Sequence, residues 1–398
     1  MCRICLFFLL LFPGTILQSQ IRYPDPIRSG VEYGIGFLDF CTDPSVGATG
    51  EAAVVADQNY QHAGLLQNPS LLARNQDHIG FNMSFSPWMR LLMPGLRIFD
   101  LNSFYSISPK RTLGYRFRHF SMANFTPTFS TPGLLVVDAF EYLHQLSYAE
   151  KFMESLSAGI SVKYFQSNLG EFELLNGYQF KPINSFAFDA GLNYEKNIAV
   201  TKTKDILLQF GSSLRNFGPK TKYSDDPEEK SQFLPTIFGL GILVNEDFII
   251  SEKSFLVANL VYQTEKYLVP SIPVYDEGKI IKGMDPDISI FKALYRSWYD
   301  DPDGLKGEKH EFIHKLGGEL RLSNYKNNYL ALRLGKIMQH YSQSNRYYNT
   351  FGAGIFLNGF SIDFKLFSAP GNHPVETWVV SAGYSGPCLP AKHWKGNQ

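Results

Sequence analysis

Ile183-Asn184-Ser185-Phe186-Ala187-Phe188-Asp189-Ala190-Gly191-Leu192-Asn193-Tyr194-Glu195 is written with a period of two. Phe186, Phe188, Ala190, Leu192 and Tyr194 fall on one face, and Ser185, Ala187, Asp189, Gly191 and Asn193 on the other. Successive side chains of a β-strand point to opposite sides, so this stretch predicts a strand with one oily and one wet face. Ser155 to Gln166 repeats the pattern, with Leu156, Ala158, Ile160, Val162 and Tyr164 against Ser157, Gly159, Ser161 and Lys163. Phe360, Ile362, Phe364 and Leu366 alternate with Ser361, Asp363 and Lys365 in the same way. Weaker versions near 78–86, 98–107, 112–122, 140–149, 204–214, 234–244, 254–263, 311–323, 328–337, 347–357 and 376–385 bring the expectation to about fourteen strands.

Alternation alone also describes a soluble sandwich or jelly roll with one buried face. The connections separate the two. Ser108-Pro109-Lys110-Arg111, Lys151-Phe152-Met153, Asn324-Tyr325-Lys326-Asn327 and Asn358-Gly359 are short and fall at every second link. Between them lie longer stretches, Ala123 to Ala139, Ser167 to Pro182, Phe217 to Phe233 and Thr264 to His310, the last holding a short amphipathic helix near Ile288 to Trp298. Outer-membrane barrels have short periplasmic turns and long extracellular loops, a rule that a soluble sandwich has no reason to obey. The expected fold is therefore all-β: a transmembrane antiparallel β-barrel in a Gram-negative outer membrane. An even strand count predicts both termini on the periplasmic side.

Composition agrees. Aromatic residues make up 15% and charged residues only 19%, as suits an apolar outer face with aromatic girdles. Lys plus Arg equals Asp plus Glu at 37 each, so no net field favours nucleic acid or a cationic partner. Met1-Cys2-Arg3 followed by Ile4 to Phe12 reads as a signal peptide over 1–20, cut near Ser19 or Gln20. No later run approaches the ~18 apolar residues of a membrane-spanning helix. The chain then divides into an irregular segment at 21–76 with one short helix, lying in or near the lumen, a barrel at 77–386, and a periplasmic tail at 387–398. Cys2 and Cys5 leave with the signal. Cys41 and Cys388 remain; an oxidising compartment allows them to pair, and the sequence does not show whether they meet.

His310-Glu311-Phe312-Ile313-His314 matches H-E-x-x-H, in which a helix sets two histidines one turn apart for zinc with the Glu as general base. The stretch runs on into the strand-like Gly317-Gly318-Glu319-Leu320-Arg321-Leu322, and Leu320 occupies the third-ligand position of the longer pattern. In a strand the two histidines stand about 13 Å apart, too far for one ion. The expected reading is a polar loop rim entering a strand, with no catalytic residue, metal or cofactor assigned. Gly239-Leu240-Gly241 and Gly352-Ala353-Gly354 read as glycines that relieve crowding in a curved sheet. Asp225-Asp226-Pro227-Glu228-Glu229 and Asp300-Asp301-Pro302-Asp303 read as solvated turns rather than calcium sites.

Pro44-Ser45-Val46-Gly47-Ala48-Thr49-Gly50-Glu51-Ala52-Ala53-Val54-Val55-Ala56-Asp57, followed by Asn68-Pro69-Ser70-Leu71, resembles the opening of the PorV/PorQ branch of the FadL-like barrels. There a G-x-x-G-[DE]-A stretch and an Asn-Pro-Ala precede the first strand. The resemblance marks Gly47, Gly50, Glu51, Asp57, Asn68 and Pro69 as a hatch motif. Arg215-Asn216-Phe217-Gly218, Phe233-Leu234-Pro235 with Gly239-Leu240-Gly241, Leu268 to Asp276 and Asp285-Pro286-Asp287 are similar to the PorV side of that branch. They mark Leu268, Val269, Pro270, Ile272, Pro273, Tyr275, Asp285 and Asp287 as a cargo- or partner-facing loop. The chain departs from the family in the longer Asp57 to Asn68 interval, in Ser70 where Ala is usual, and in the tail after Tyr384.

The resemblance implies a fourteen-stranded component of the type IX protein secretion system. Such a barrel takes secreted cargo by its C-terminal signal domain from the translocon barrel to a sortase-like attachment protein at the cell surface. Its expected partners are those three proteins and the lipid membrane, with no nucleic acid and no cofactor. The alternative is a FadL-like channel for hydrophobic small molecules. An enzyme, whether a zinc hydrolase at His310 and His314 or a lipid-modifying barrel, needs a grouping of catalytic side chains that the sequence does not offer.

Overall fold

The computed structural model describes residues 30–57, 60, 62–89, 95–125, 137–174, 176–201, 204–324, 328–340, 343, 347–368 and 377–387. The expected signal peptide, Cys388 and nearly all of the tail lie outside them.

Fourteen antiparallel strands make one closed ring. In chain order they are β1 Ile79–Pro87, β2 Arg97–Ser108, β3 Arg111–Phe125, β4 Val137–Met153, β5 Leu156–Asn168, β6 Ile183–Thr201 and β7 Lys204–Phe217. The second half holds β8 Ile237–Ser251, β9 Ser254–Tyr267, β10 Ile313–Asn324, β11 Tyr329–Met338, β12 Tyr347–Leu357, β13 Phe360–Ser368 and β14 Trp378–Gly386. Each pairs with its neighbours in sequence, and the ring shuts where β1 meets β14, from Ile79↔Gly386 to Phe85↔Val380. Closure removes the edge that an open sheet would leave unpaired.

The distribution of side chains is inverted relative to a soluble protein. On β6, Phe186, Phe188 and Leu192 are about half exposed, whereas Asp189 and Asn193 on the other face are buried. An apolar face turned outward and a polar face turned inward is the arrangement of a barrel in lipid. The connections obey the predicted alternation: those at one end have two to four residues and those at the other eight to 45.

Three local differences from the expected elements follow. β8 starts at Ile237 rather than near 234, since Pro235 has no N–H to give to a ladder. At the short-turn end, β6 and β7, and β8 and β9, run on to hairpins at Thr201/Lys204 and Ser251/Ser254. The long loop after β9 holds two helices, α2 Ile290–Arg296 and α3 Leu305–His310, of which only the first was legible. Before the barrel, the chain forms α1 Pro44–Gly47 and 3₁₀ turns at Gly36–Asp39, Ala63–Leu65 and Pro69–Arg74.

Candidate functional site

Gly30 lies at the long-connection end: its carbonyl accepts from the Ile272 N–H at 3.0 Å, and the Gly34 N–H donates to the Phe233 carbonyl at 2.9 Å. Arg74 lies at the opposite end, donating to Ser157 Oγ at 3.2 Å and to the Glu154 carbonyl in the β4–β5 turn at 2.6 Å. Between them the segment touches inward-facing residues around the ring, so it crosses the interior from one mouth to the other. An even strand count does put the barrel's own ends, Ile79 and Gly386, side by side. It does not carry over to the start of the described chain, Gly30, which the crossing places at the far mouth. Cys41, on the crossing segment, is buried and makes no disulfide among the described residues; Cys388 lies outside them.

The wall is cut to admit this segment. A Cβ on Gly191 would stand 1.9 Å from Asn68 Oδ1, one on Gly211 2.4 Å from the Val54 carbonyl, and one on Gly317 2.3 Å from the Thr49 carbonyl. At Gly335 the clash is with the Gly50 nitrogen at 1.9 Å, and at Gly159 with Pro69 backbone at 2.5 Å. Gly239, Gly241 and Gly352 likewise face Val54, Val55 and Ala48. These positions therefore serve close approach to the segment, where the sequence suggested curvature alone. Gly50 adds a positive φ of 72°, a conformation that L residues with a side chain adopt at a cost.

Charge completes the fit. Thr42 donates to Asp100, which also holds Arg116 and Arg118 at 2.7 and 2.8 Å. Glu51 pairs with Lys365 at 3.2 Å, and Asp57 takes Arg321 at 2.9 and 3.3 Å. Tyr60 donates to Glu319, and Arg333 bridges Glu319 and Asp363 at 2.8 and 2.6 Å. Charges taken out of water persist when each finds an opposite partner. In Glu51–Lys365 and Asp57–Arg321 the partners come from opposite sides of the contact, segment and wall, whereas the Asp100 and Arg333 clusters pair within the wall and meet the segment through Thr42 and Tyr60.

The structure thus places all six residues of the hatch motif on the crossing segment, each against the wall or its own neighbours. Gly47 sits under Lys365 and Pro69 beside Gly159 and Gly191. Asn68 caps the last 3₁₀ turn by accepting from the Ser70 N–H at 3.2 Å, and donates to the Val54 and Leu192 carbonyls at 2.7 and 3.1 Å. Asn68→Ala is expected to destabilise the folded barrel by about 2–4 kcal/mol, because a cap is lost and buried carbonyls are left without a donor. The urea midpoint of the detergent-solubilised protein measures this, and Asn68→Asp, which keeps the acceptor, is expected to fall between the two.

At the long-connection mouth the loop after β9 folds back on the barrel. Of its candidate residues, Leu268, Val269, Pro270 and Pro273 are buried, and Val269 packs with Phe233, Ile237 and Ile313. Ile272, Tyr275, Asp285 and Asp287 are exposed, so of the eight these four are the ones at the surface. Asp287 is held by Lys220 at 3.0 Å. Val31, Tyr33, Tyr267, Ile272, Gln339 and Gln343 line a recess of about 280 Å³ beside the segment's first residues.

The H-E-x-x-H residues are distributed among different partners. His310 stacks on His340 with ring centres 3.5 Å apart, His314 bonds the Tyr262 hydroxyl at 2.8 Å, and Glu311 binds Lys266 and Ser271. Among the described residues no group of three or more His, Cys, Asp or Glu is placed to hold a metal ion. Asp300 and Asp301, expected in a solvated turn, are buried instead. Ser271 donates to Asp300 at 3.1 Å, and Glu308, which pairs with Lys266 at 2.9 Å, accepts from the Asp301 N–H.

Burial pushes the Glu311 carboxyl up to about 7 and Asp300 up to about 6. Both values exceed those of the unfolded chain, so the folded loop binds protons that the open loop releases, and its stability falls as pH rises from about 4 through about 7. Proteolysis within 268–312 is expected to be faster at pH 8 than at pH 5.5 by on the order of tenfold. Equal rates, with a protease corrected for its own pH profile, would count against the burial of these two acids.

The model of the family described as "Type IX secretion system protein PorV" matches residues 28–274, which span the crossing segment and the first nine strands. The chain belongs to the PorV family. No curated protein matches it. Solved structures similar to this PorV-family barrel include the Ralstonia pickettii toluene transporter TbuX, 12% identical with a TM-score of 0.42, covering 88% of this chain and 100% of that one. The Pseudomonas putida toluene transporter TodX is 9% identical with a TM-score of 0.41, covering 85% and 95%. A Pseudomonas aeruginosa FadL homologue is 10% identical with a TM-score of 0.37, covering 88% and 96%.

Proposed function

We propose that this PorV-family barrel is a carrier in type IX secretion, one that binds the C-terminal signal domain of secreted cargo and passes it from the translocon barrel to a sortase-like attachment protein. The observation that supports this over a solute channel is the filled interior: the crossing segment is bonded to the wall by Glu51–Lys365, Asp57–Arg321 and Tyr60–Glu319. A polar, ion-paired lumen is a poor path for a hydrophobic solute, and loops on a rigid scaffold are where binding residues concentrate. The working surface is then the long-connection end, which faces the cell exterior in barrels of this kind. The exposed residues Ile272, Tyr275, Asp285 and Asp287, with Ile280 and Ile281 beside them on the small hairpin Val274–Lys282, are the candidate contacts. In this reading the chain binds and transports and performs no catalytic step.

The test is co-purification of the tagged full chain from outer membranes. Translocon, attachment protein and cargo are expected to come with it, and Tyr275→Ser with Ile281→Ser to reduce cargo recovery without changing barrel yield. A barrel that recovers none of the three and instead speeds uptake of small hydrophobic compounds would sink the proposal.

A further inference from the structure

Four aromatic residues crowd into nine positions of the long loop: Phe291, Tyr295, Trp298 and Tyr299, exposed by 67, 56, 39 and 52%. On α2, Ala293 and Arg296 are buried against the loop's own base, which turns Phe291 and Tyr295, one turn apart, away from it. Where these rings lie is decided by what they touch. Phe291 packs on Phe217 with centroids 5.5 Å apart, and Trp298 packs on Phe238 at 5.9 Å and Phe312 at 6.2 Å. Phe217 pairs across the sheet with the outward-facing Phe188, and Phe238 shares a face with the exposed Leu240. The aromatic cluster therefore hangs over the outside of the wall and does not cover the lumen.

A second observation concerns Lys266. It shares its strand face with the exposed Tyr262, which would present a bare ammonium to the barrel's surroundings. The loop instead buries it to 1% exposure, between Glu308 and Glu311 and under the rings of Trp298 and Phe312 at 6.0 and 5.6 Å. Such neutralisation fits a wall that is apolar on its outside at this height. Lys292, exposed next to Phe291, supplies a cation at the rim.

We propose that this part of the loop is a lipid-binding surface, in which Phe291, Tyr295 and Trp298 seat in the outer leaflet's interface and Lys292 meets a headgroup phosphate. The warrant is continuity: the cluster prolongs the lipid-facing wall, and Trp and Tyr prefer the level where an apolar body and a polar tip are both satisfied. The membrane thereby holds the loop's outer half, leaving the hairpin Val274–Lys282 as the part that projects.

The test uses the full chain in phosphatidylcholine vesicles with acyl chains brominated at shallow or deep positions. Emission of the wild type minus that of Trp298→Phe isolates Trp298 from the other tryptophans. The shallow bromines are expected to quench it at least roughly twofold more than the deep ones, with little quenching by aqueous iodide. Phe291→Ser with Tyr295→Ser is expected to lower the bromine effect while the barrel keeps its heat-modifiable mobility on gels. A Trp298 quenched by iodide and indifferent to both bromolipids overturns the proposal, as does one shielded from iodide only when a purified cargo signal domain is added, which makes the patch a protein surface.

Discussion

Arg333→Ala is expected to lower the stability of the barrel by about 3–5 kcal/mol, the cost of leaving buried charge without its partner. Arg333 is fully buried and serves Glu319 at 2.8 Å, Asp363 at 2.6 Å and the Tyr60 hydroxyl at 2.9 Å. Glu319 keeps Arg321 at 3.5 Å and Asn259 at 2.9 Å, whereas Asp363 loses its ion pair with Arg333. The urea midpoint in detergent reports the loss. Arg333→Met combined with Glu319→Gln and Asp363→Asn is expected to recover most of it, since removing a whole buried cluster costs less than removing one member. An Arg333→Ala midpoint within about 1 kcal/mol of wild type would mean that water reaches these groups and the lumen is not tightly filled.

Gly335→Val is expected to unseat the crossing segment. Its Cβ would fall 1.9 Å from the Gly50 nitrogen and 2.5 Å from the Thr49 carbonyl carbon, and backbone cannot swing aside as a flexible side chain does. Gly50 is itself pressed against this patch of wall, since a Cβ on it would stand 2.7 and 3.0 Å from the Leu316 and Lys336 carbonyls. With the segment displaced, Glu51–Lys365 and Asp57–Arg321 are broken together, and water can enter the polar interior of a ring of this size. Planar-bilayer recordings are expected to be silent for the wild type and to show openings for Gly335→Val, with new protease cuts between residues 42 and 57. A folded variant that stays silent and uncut would show that the wall tolerates a side chain there and that the segment's fit is loose.

How much of this could be read in advance follows from the same physics. Lipid outside and a polar lumen inside impose a two-residue alternation on every strand, so Ile183–Glu195 and its repeats announced the ring, and the short turns announced its two ends. The path of residues 30–76 left no such mark. Gly159, Gly191, Gly211, Gly317 and Gly335 look like ordinary strand glycines until their partners are seen across the lumen, more than 80 residues away in each case. A run of inward-register glycines on several strands was the available signal. In the loop, Leu268, Val269 and Pro270 were marked as partner-facing by the family resemblance and are buried, Val269 within the loop's own core. Asp300 and Asp301 were read as solvated from their charge, while Ser271, Glu308 and Arg296 enclose them. The Phe291, Tyr295, Trp298 spacing was visible, but only the contacts with Phe217 and Phe238 say which way the rings hang.

The crossing segment also bears on how the molecule is made. It runs from one mouth, where Gly30 lies, and leaves at the other to become β1, the strand whose ladder with β14 shuts the ring. Its bonds reach β2, β3, β5, β6, β9, β10 and β13, so it cannot be laid against them from outside once the wall is continuous. The first and last strands are therefore the clasp of a bead that carries its thread: the seam between them is where the two ends of the sheet meet, and its closure keeps the segment enclosed. The pairing that runs from Ile79 with Gly386 to Phe85 with Val380 then adds to the segment's retention beyond its own contacts with the wall.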